Sequence, residues 1–376
     1  MEHLAAVAQA GTVQWEQLGP LLLPVPVIVV ANLAERARLA QRTTAGPSYP
    51  MGWTLAGWYL LGAVGAACAL LGLVTLAAAL VAPGGREYSS SPATYGAVIL
   101  VTGIAAGTIL LPPTRRELAR FMPIDPDSVV HATALVLTIV LVGMQLATQL
   151  AVDLLAQQAR SAAPLAPLDL VLQELPFLIA AVLGAGLLIR RRPAAVTRRL
   201  GLVRPSAWQV LLALGAAGAF YAFGLGMDAL GHAVTVDVAR KVDAANQRLF
   251  GRLDDPAGIA TIALAAGICE ETLFRGALQP KLGIVWTSIV FAVVHTQYGL
   301  SLDTVAVFIL AIGLGLLRRV ANTTTSTICH VAYNALVGVG VSGALIGPAV
   351  AVEAVLALGG LTAVFTGKLG SLRTAP

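Results

Sequence analysis

The chain has very few charged residues for its length. Asp, Glu, Lys and Arg make up 11% of its 376 residues, against about 25% in an ordinary soluble domain. Hydrophobic residues account for 57%, and the mean hydropathy is +0.82. This composition excludes a soluble globular protein and a disordered one. It predicts an all-α fold, a polytopic bundle of transmembrane helices embedded in a lipid bilayer.

Cysteine is also scarce. The chain contains 3 cysteines, Cys68, Cys269 and Cys329, and each lies inside an apolar run. An odd number without regular spacing excludes a disulfide framework and a zinc knuckle. We interpret all of them as small buried side chains, because an apolar setting disfavours the thiolate that a cysteine nucleophile requires.

Lysine and arginine are absent before the first apolar run, Leu18 to Leu33, so the basic start of a signal peptide is missing. We therefore interpret this run as a retained span. The net charge is +5, but the cations fall in short clusters between apolar runs. That distribution is typical of the positive-inside pattern of membrane proteins and argues against nucleic acid as a partner.

The clusters of Lys and Arg fall on alternate connections, which predicts about eleven spans with the N-terminus outside and the C-terminus in the cytoplasm. The Ala-, Gly- and Arg-rich composition indicates a bacterial cell membrane. We place the main boundary at the most basic connection, which separates an N-terminal region of about five spans and unknown role, residues 1–205, from residues 206–340. The latter would hold the catalytic bundle, and residues 341–376 would form a final span and a short cytoplasmic tail.

One polar connection, residues 234–255, has an apolar stripe at helical spacing, formed by Val238, Val242, Ala245 and Leu249. It predicts an amphipathic helix that lies on the surface. The predicted topology places this helix outside although it carries Lys and Arg, which departs from the positive-inside rule.

Two adjacent carboxylates and a cation lie inside one apolar run: Glu270, Glu271 and Arg275. An uncompensated charge within a span costs at least ~2.5 kcal/mol and usually marks a functional interior. Glu271 and Arg275 are spaced i, i+4 with the acid first, the orientation that pairs on one helix face. Glu270 lies ~100° around the helix and has no cation at that spacing. We therefore predict that Glu270 is the carboxylate free for chemistry.

Two later apolar runs carry histidine. His295 ends one run, and His330 shares a helix face with Asn334, four residues later in the other. A single histidine in a helix is more often a hydrogen-bonded core residue than a catalytic group. However, at ~1.5 Å per residue from the cytoplasmic helix ends, Glu270, His295 and His330 all lie ~12–16 Å deep. A shared depth predicts a hydrolytic site with a general base and oxyanion donors.

Three motifs in fixed order on successive predicted spans carry a resemblance to a known family: Glu270-Glu271-x-x-x-Arg275, Phe291-x-x-x-His295 and His330-x-x-x-Asn334. From about residue 208 to residue 339, the chain resembles the CAAX-protease and bacteriocin-processing (CPBP, or Abi) family of intramembrane endopeptidases. The resemblance implies hydrolysis of a membrane-associated peptide or protein tail. It also implies that Glu270 and His295 activate water, that His330 and Asn334 stabilise the oxyanion, and that Glu271 with Arg275 holds the site together.

The sequence leaves alternatives for the cofactor and for the class of function. Glu270, His295 and His330 would make a three-ligand zinc site with an open fourth position, yet the chain has no His-Glu-x-x-His motif. Family members are described both as metalloproteases and as glutamate-dependent enzymes. A non-proteolytic membrane scaffold or immunity protein is the main alternative function. A secondary transporter is less favoured, because its polar residues usually occur in both halves.

Overall fold

The computed structural model describes residues 22–43, 52–81, 91–340 and the isolated positions 358, 359 and 362. Within these ranges every regular element is a helix, apart from isolated bridge positions at Val152 and between Leu187 and Arg191. The predicted all-α class is therefore confirmed. The predicted final span, residues 344–365, lies outside the described residues except for those three isolated positions.

The helices before the predicted boundary are, in chain order, α1 (Pro24–Thr43), α2 (Gly52–Val81), α3 (Pro92–Thr108), α4 (Pro112–Phe121), α5 (Val129–Ala151), α6 (Leu154–Ser161), α7 (Pro167–Gly184) and α8 (Pro193–Arg199). The elements after it are α9 (Ala207–Val234), α10 (Val236–Phe250), α11 (Pro256–Glu271), a π-helix (Thr272–Leu278), α12 (Gln279–Val294), a 3₁₀ turn (Thr296–Tyr298), α13 (Leu302–Val320) and α14 (Thr323–Val339).

Long apolar helices identify an integral membrane protein. Among the described residues, 5 helical stretches are long and apolar enough to cross a membrane: α2, α5, α7, α9 and the run Pro256–Val294. The count rises to 6 if α3 and α4, which meet at 90°, form one broken span. The predicted number of about eleven spans is not confirmed. α14, for example, has 17 residues, fewer than the ~20 that usually cross a bilayer.

The run Pro256–Val294 combines two segments that the sequence predicted as separate spans. Its helical geometry changes in the π-helix, which begins directly after Glu271 and contains Arg275. The run is interrupted again at Gly283, where φ is 79°. Glycine adopts this left-handed conformation without the steric cost of a side chain. Because π-helical turns are rare and frequent at functional sites, the π-helix draws attention to the charged residues beside it.

The two predicted halves pack directly on each other. α7 packs against α11 and the π-helix, and α5 packs against α12. The ring of Phe177 on α7 meets the ring of Phe274 edge-on, with centroids 5.8 Å apart. The boundary near residue 205 stays a prediction, but helices from before it contribute to the packing around the charged segment.

α10 is amphipathic, and its apolar stripe faces other helices. Val242 and Ala245 are buried and pack with Leu155 of α6, and Val238 and Tyr298 complete this cluster. α10 therefore covers the end of the bundle where α12 gives way to the 3₁₀ turn. The apolar stripe of α10 therefore packs against other parts of the protein.

Candidate active site

The predicted site residues come from four neighbouring elements. Glu270 and Glu271 form the last turn of α11, and Arg275 belongs to the π-helix. His295 directly follows α12, while His330 and Asn334 lie on α14. The two glutamates, Arg275 and His330 are buried, and His295 and Asn334 are partly buried.

Both histidines converge on Glu270. Its Oε1 atom lies 3.8 Å from Nε2 of His295, and its Oε2 atom lies 3.9 Å from Nε2 of His330. Oε2 is buried and accepts no hydrogen bond from the part of the chain that the structure describes. The carboxylate thus faces two imidazoles at distances longer than a direct hydrogen bond.

A hydrogen bond fixes the orientation of His295. Its Nδ1 atom lies 2.7 Å from the backbone oxygen of Phe291. A carbonyl oxygen only accepts, so Nδ1 carries the hydrogen in this bond. The imidazole is also held between two rings, with centroids 4.4 Å from Phe291 and 6.4 Å from Tyr298. The Nε2 atom is thereby left to face Glu270.

Glu271 connects three elements and is fully buried. Its Oε2 atom lies 3.4 Å from Nε of Arg275 and accepts a hydrogen bond from the hydroxyl of Ser326. Its Oε1 atom lies 3.2 Å from Nδ1 of His330. Glu271 therefore joins α11 and the π-helix to α14 and orients the His330 ring. Adjacent residues of a helix face different directions, so Glu271 makes these contacts on a different side from Glu270.

Arg275 is held more by ion pairing and ring contact than by hydrogen bonds. Its pairing with Glu271 is not aligned as a hydrogen bond, and none of its side-chain nitrogens has a hydrogen-bond partner within the described ranges. The guanidinium lies 4.7 Å from the centroid of Phe291, a cation–π contact. The Arg275 backbone carbonyl accepts from Nε of Arg318 at 3.1 Å. Removing Glu271 would leave this buried cation without its anion.

Asn334 lies one turn beyond His330 on α14. No hydrogen bond joins its side chain to the other predicted site residues, all of which the structure describes. Its partly exposed amide shares the helix face of His330, as the i, i+4 spacing predicts. Its role as a donor stays a prediction.

The sequence reasoning missed one acid close to this site. Glu174 lies on α7, which packs against α11 and the π-helix, and its Oε2 atom is buried without a hydrogen-bond partner in the described part of the chain. The signal was present, because Glu174 is an acid within the apolar run of a predicted span. It was passed over because it has no partner at helical spacing and belongs to the half in which no motif was found.

The donors proposed for zinc are spread too widely for one ion as they stand. Among the described residues, the group whose possible ligand atoms all lie within 4.8 Å of one another is Asp228, His232 and Asp243, which are exposed. Glu270, His295 and His330 do not meet that spacing. Ligands ~2.0–2.1 Å from a zinc ion lie closer together than this. In this arrangement the three side chains do not have the spacing of zinc ligands.

Residues 253–336 match the family model described as type II CAAX prenyl endopeptidase Rce1-like. The match confirms the predicted resemblance to the CPBP family, and the matched family is a family of peptidases. The segment contains all of the predicted site residues, whereas α1 to α10 lie outside it. Neither the curated proteins nor the solved structures contain a match to this chain.

Proposed function

We propose that this protein is an intramembrane endopeptidase that hydrolyses a peptide bond in a membrane-associated peptide or protein tail. The observation that carries the proposal is the convergence of His295 and His330 on Glu270, at 3.8 and 3.9 Å, inside the segment that matches a peptidase family. The convergence provides a base, an orienting group and an oxyanion donor within one buried site.

Glu270 and His295 are suited to activate water together. A water oxygen about 2.8 Å from each of two acceptors fits beside Oε1 of Glu270 and Nε2 of His295, which are 3.8 Å apart. Both atoms accept hydrogen bonds, because Nδ1 of His295 already donates to Phe291. The two hydrogens of the water would then point at protein acceptors, which leaves an oxygen lone pair for the substrate carbonyl. Glu270 takes the proton as the new C–O bond forms.

His330 and Asn334 are the proposed donors to the tetrahedral oxyanion. When Nδ1 of His330 donates to Glu271, Nε2 carries a hydrogen only in the imidazolium form. Glu270 and Glu271 flank the ring, at 3.9 Å from Nε2 and 3.2 Å from Nδ1. The Asn334 amide supplies a neutral donor from the next turn. On collapse of the intermediate, the C–N bond breaks and Glu270 returns the proton to the amine nitrogen.

The substrate class follows from the matched family. Its name describes a prenyl CAAX endopeptidase, so we propose that the substrate has a C-terminal tail anchored in the membrane by an apolar group. Such an anchor would hold the scissile bond at membrane depth, where the buried carboxylate and histidines lie.

An assay with purified protein in lipid nanodiscs tests this function. The probe is an internally quenched farnesylated CAAX peptide, and the variants are Glu270→Gln and, as a matched control, Glu117→Gln. Glu117 is an exposed acid of α4, remote in sequence from every motif. We expect cleavage by the wild type and the control, with a loss of about 10²-fold or more in Glu270→Gln. Equal rates in all three proteins would overturn the proposal.

Two additional arms separate the alternatives. Activity that survives chelation and dialysis is expected, because no metal is assigned a step. In cells, the proteomes of strains carrying the wild type or Glu270→Ala are compared, and uncleaved tails should accumulate only in the variant. A scaffold or immunity protein would leave both proteomes alike.

A further inference from the structure

Two arginines from different helices donate to neighbouring carbonyl oxygens of the π-helix. Nε of Arg318, in the last turn of α13, donates to the backbone oxygen of Arg275 at 3.1 Å. Nη1 of Arg199, the last residue of α8, donates to the backbone oxygen of Gly276 at 3.4 Å. The two acceptors belong to adjacent residues, whose Cα atoms lie ~3.8 Å apart. Both guanidinium groups are therefore held beside the same part of the π-helix.

The packing of α8 on the π-helix fixes the position of Arg199. Leu200, the next residue, is buried with Val196 in a cluster against which Ala277 packs. A Cβ atom at Gly276 would lie 2.9 Å from the backbone oxygen of Leu200. The absence of a side chain at Gly276 thus lets the end of α8 approach the π-helix closely. Because α8 lies outside the segment that matches the peptidase family, this contact brings a cation to the π-helix from the first part of the chain.

Neither arginine has an acidic partner. In the described part of the chain, no ion pair includes Arg199 or Arg318, and the sequence around them, residues 175–227, 272–302 and 304–352, contains no Asp or Glu. Both side chains are partly exposed. A guanidinium has five N–H donors, so each arginine keeps donors after its bond to the π-helix. An anion beside the π-helix would meet two cations of the kind that binds carboxylates in forked geometry.

The two arginines lie within reach of a peptide bound at Glu270. Glu270 and Gly276 are six positions apart in one helical run, which corresponds to ~9 Å at ~1.5 Å per residue. An extended peptide covers ~3.3–3.6 Å per residue. Two or three residues after the scissile bond therefore span the distance from Glu270 to the arginines. Whatever its sequence, a tail that ends there carries an anion at that position, its C-terminal carboxylate.

We propose that Arg199 and Arg318 form a carboxylate subsite, which binds the free C-terminus of the substrate and places a peptide bond two or three residues before it at Glu270. This inference rests on the proposed function and restricts its substrates to tails that end shortly after the cleaved bond. The subsite contacts no reacting atom. It acts in substrate binding and in the choice of the bond, so its loss should raise KM rather than lower kcat.

An anionic lipid headgroup is the competing ligand, because basic residues near a membrane surface attract acidic lipids. The bonds of Arg199 and Arg318 to the π-helix favour the peptide, since they hold both guanidinium groups against the helical run that carries Glu270. The adjacent cations Arg198 and Arg319 are exposed, and their side chains form no hydrogen bond with the described residues. They provide matched controls from the same two helices.

A pair of peptides that differ only at the C-terminus tests the subsite. The farnesylated CAAX peptide is prepared with a free carboxylate or with a terminal amide, and both are cleaved in nanodiscs of zwitterionic lipid. For the wild type, we expect the amide to raise KM about 10-fold or more at similar kcat. The double variant Arg199→Gln/Arg318→Gln should cleave both peptides with the same, high KM, whereas Arg198→Gln/Arg319→Gln should keep the preference for the carboxylate.

The ratio of the two KM values is not changed by a general loss of stability, which affects both peptides alike. Equal KM values for the two peptides in the wild type, or an unchanged ratio in Arg199→Gln/Arg318→Gln, would overturn the proposal. An effect of the double variant that appears only in nanodiscs with anionic lipid would assign the arginines to headgroups and would also overturn it.

A binding measurement keeps the subsite testable if neither peptide is cleaved. In that case the proposed substrate class fails as an explanation of activity. Fluorescence anisotropy with labelled versions of the two peptides is then measured on Glu270→Gln, alone and combined with Arg199→Gln/Arg318→Gln. Tighter binding of the carboxylate peptide to Glu270→Gln, lost in the combined variant, would support the subsite. Equal binding of the two peptides to Glu270→Gln would refute it.

Discussion

The backbone oxygen of Phe291, in the last turn of α12, lies 2.7 Å from Nδ1 of His295, the residue that directly follows this helix. The bond places the imidazole hydrogen on the side away from Glu270, so Nε2 is left as an acceptor beside the carboxylate. The Phe291 ring also lies against the imidazole in a tilted arrangement, at 4.4 Å between centroids, and contacts the Arg275 guanidinium. The spacing Phe-x-x-x-His thus has a physical reason in this chain.

His295 should be needed for turnover far more than for folding. Replacing it with alanine removes one acceptor for the attacking water, and we expect kcat to fall about 10²- to 10⁴-fold. The matched control is His232→Ala, because His232 is an exposed histidine near the end of α9 whose ring pairs with Asp228 and Asp243. Peptide cleavage by both variants at the wild-type rate would contradict the assigned role.

The two adjacent glutamates should separate activity from stability. Glu270→Gln removes the base and should abolish cleavage with little change in the melting temperature. Glu271→Gln leaves Arg275, which is fully buried, without its anion. A broken buried ion pair costs about 3–5 kcal/mol, so this variant should melt well below the wild type. Thermal unfolding in detergent together with the cleavage assay measures both effects, and equal losses of both properties in the two variants would refute the division of roles.

The oxyanion donors should affect the rate more than binding. His330→Ala and Asn334→Ala should each lower kcat about 10²- to 10³-fold, because a donor aimed at developing charge acts mainly in the transition state. KM should change little. His330→Ala also removes a neighbour of Glu271, so its melting temperature is measured in parallel. A higher KM with unchanged kcat would instead assign these residues to substrate recognition.

Local spacing was enough to predict much of the site. The i, i+4 spacing predicted that Glu271 lies beside Arg275 and that Glu270 lies on a different face. Both predictions use only the geometry within one helix. Depth along three helices then indicated that Glu270, His295 and His330 could meet. These steps need no knowledge of how distant helices pack.

Other features of the structure depend on contacts between distant helices, which the spacing of residues in the sequence does not indicate. Two predicted spans form one helical run because the π-helix and Gly283 redirect the chain without ending it. The packing of α7 on α11 and the π-helix joins residues almost a hundred positions apart, as the edge-on contact of Phe177 with Phe274 shows. No local spacing in the sequence indicates that contact.

A salt bridge that fixes α10 should make stability depend on pH. Lys241 donates to Asp153 at 2.7 Å, and this hydrogen bond lowers the pKa of Asp153 below its ordinary value near 3.8. Asp153 lies between α5 and α6, outside the apolar spans. The carboxylate of Asp153 therefore binds a proton less readily in the folded chain than in the unfolded chain. The stabilisation is complete above the ordinary pKa of Asp153 and is lost as pH falls through its pKa in the folded chain.

Lys241→Gln should therefore lower the melting temperature at neutral pH and match the wild type in strong acid. The effect should be small, at most about 1 kcal/mol, because both side chains are partly exposed. Arg240→Gln, the adjacent exposed cation on α10, is the control and should show no such dependence. A deficit in Lys241→Gln that stays constant down to strong acid would show that the contact does not depend on the charge of Asp153.

The side of the membrane from which substrate enters can be decided at the two ends of α13. Leu300, just before this helix, is exposed, and so is Arg319 in its last turn. At ~1.5 Å per helical residue, the length of helix between these two positions is close to the ~30 Å thickness of the hydrocarbon layer. The predicted topology places Arg318 and Arg319 in the cytoplasm, where an aqueous path to Glu270 would be shortest. α10 covers the other end, beside Tyr298.

Single cysteines introduced as Leu300→Cys and Arg319→Cys, in a background without Cys68, Cys269 and Cys329, report this topology. A membrane-impermeant maleimide should label Leu300→Cys in intact cells and Arg319→Cys only after lysis. Gln279 is less suitable as a reporter because it is buried and its side chain donates to Gly315. The reverse labelling pattern would place the arginine end of α13 outside. The substrate tail would then approach Glu270 from the outer face, and a cytoplasmic tail could not be its substrate.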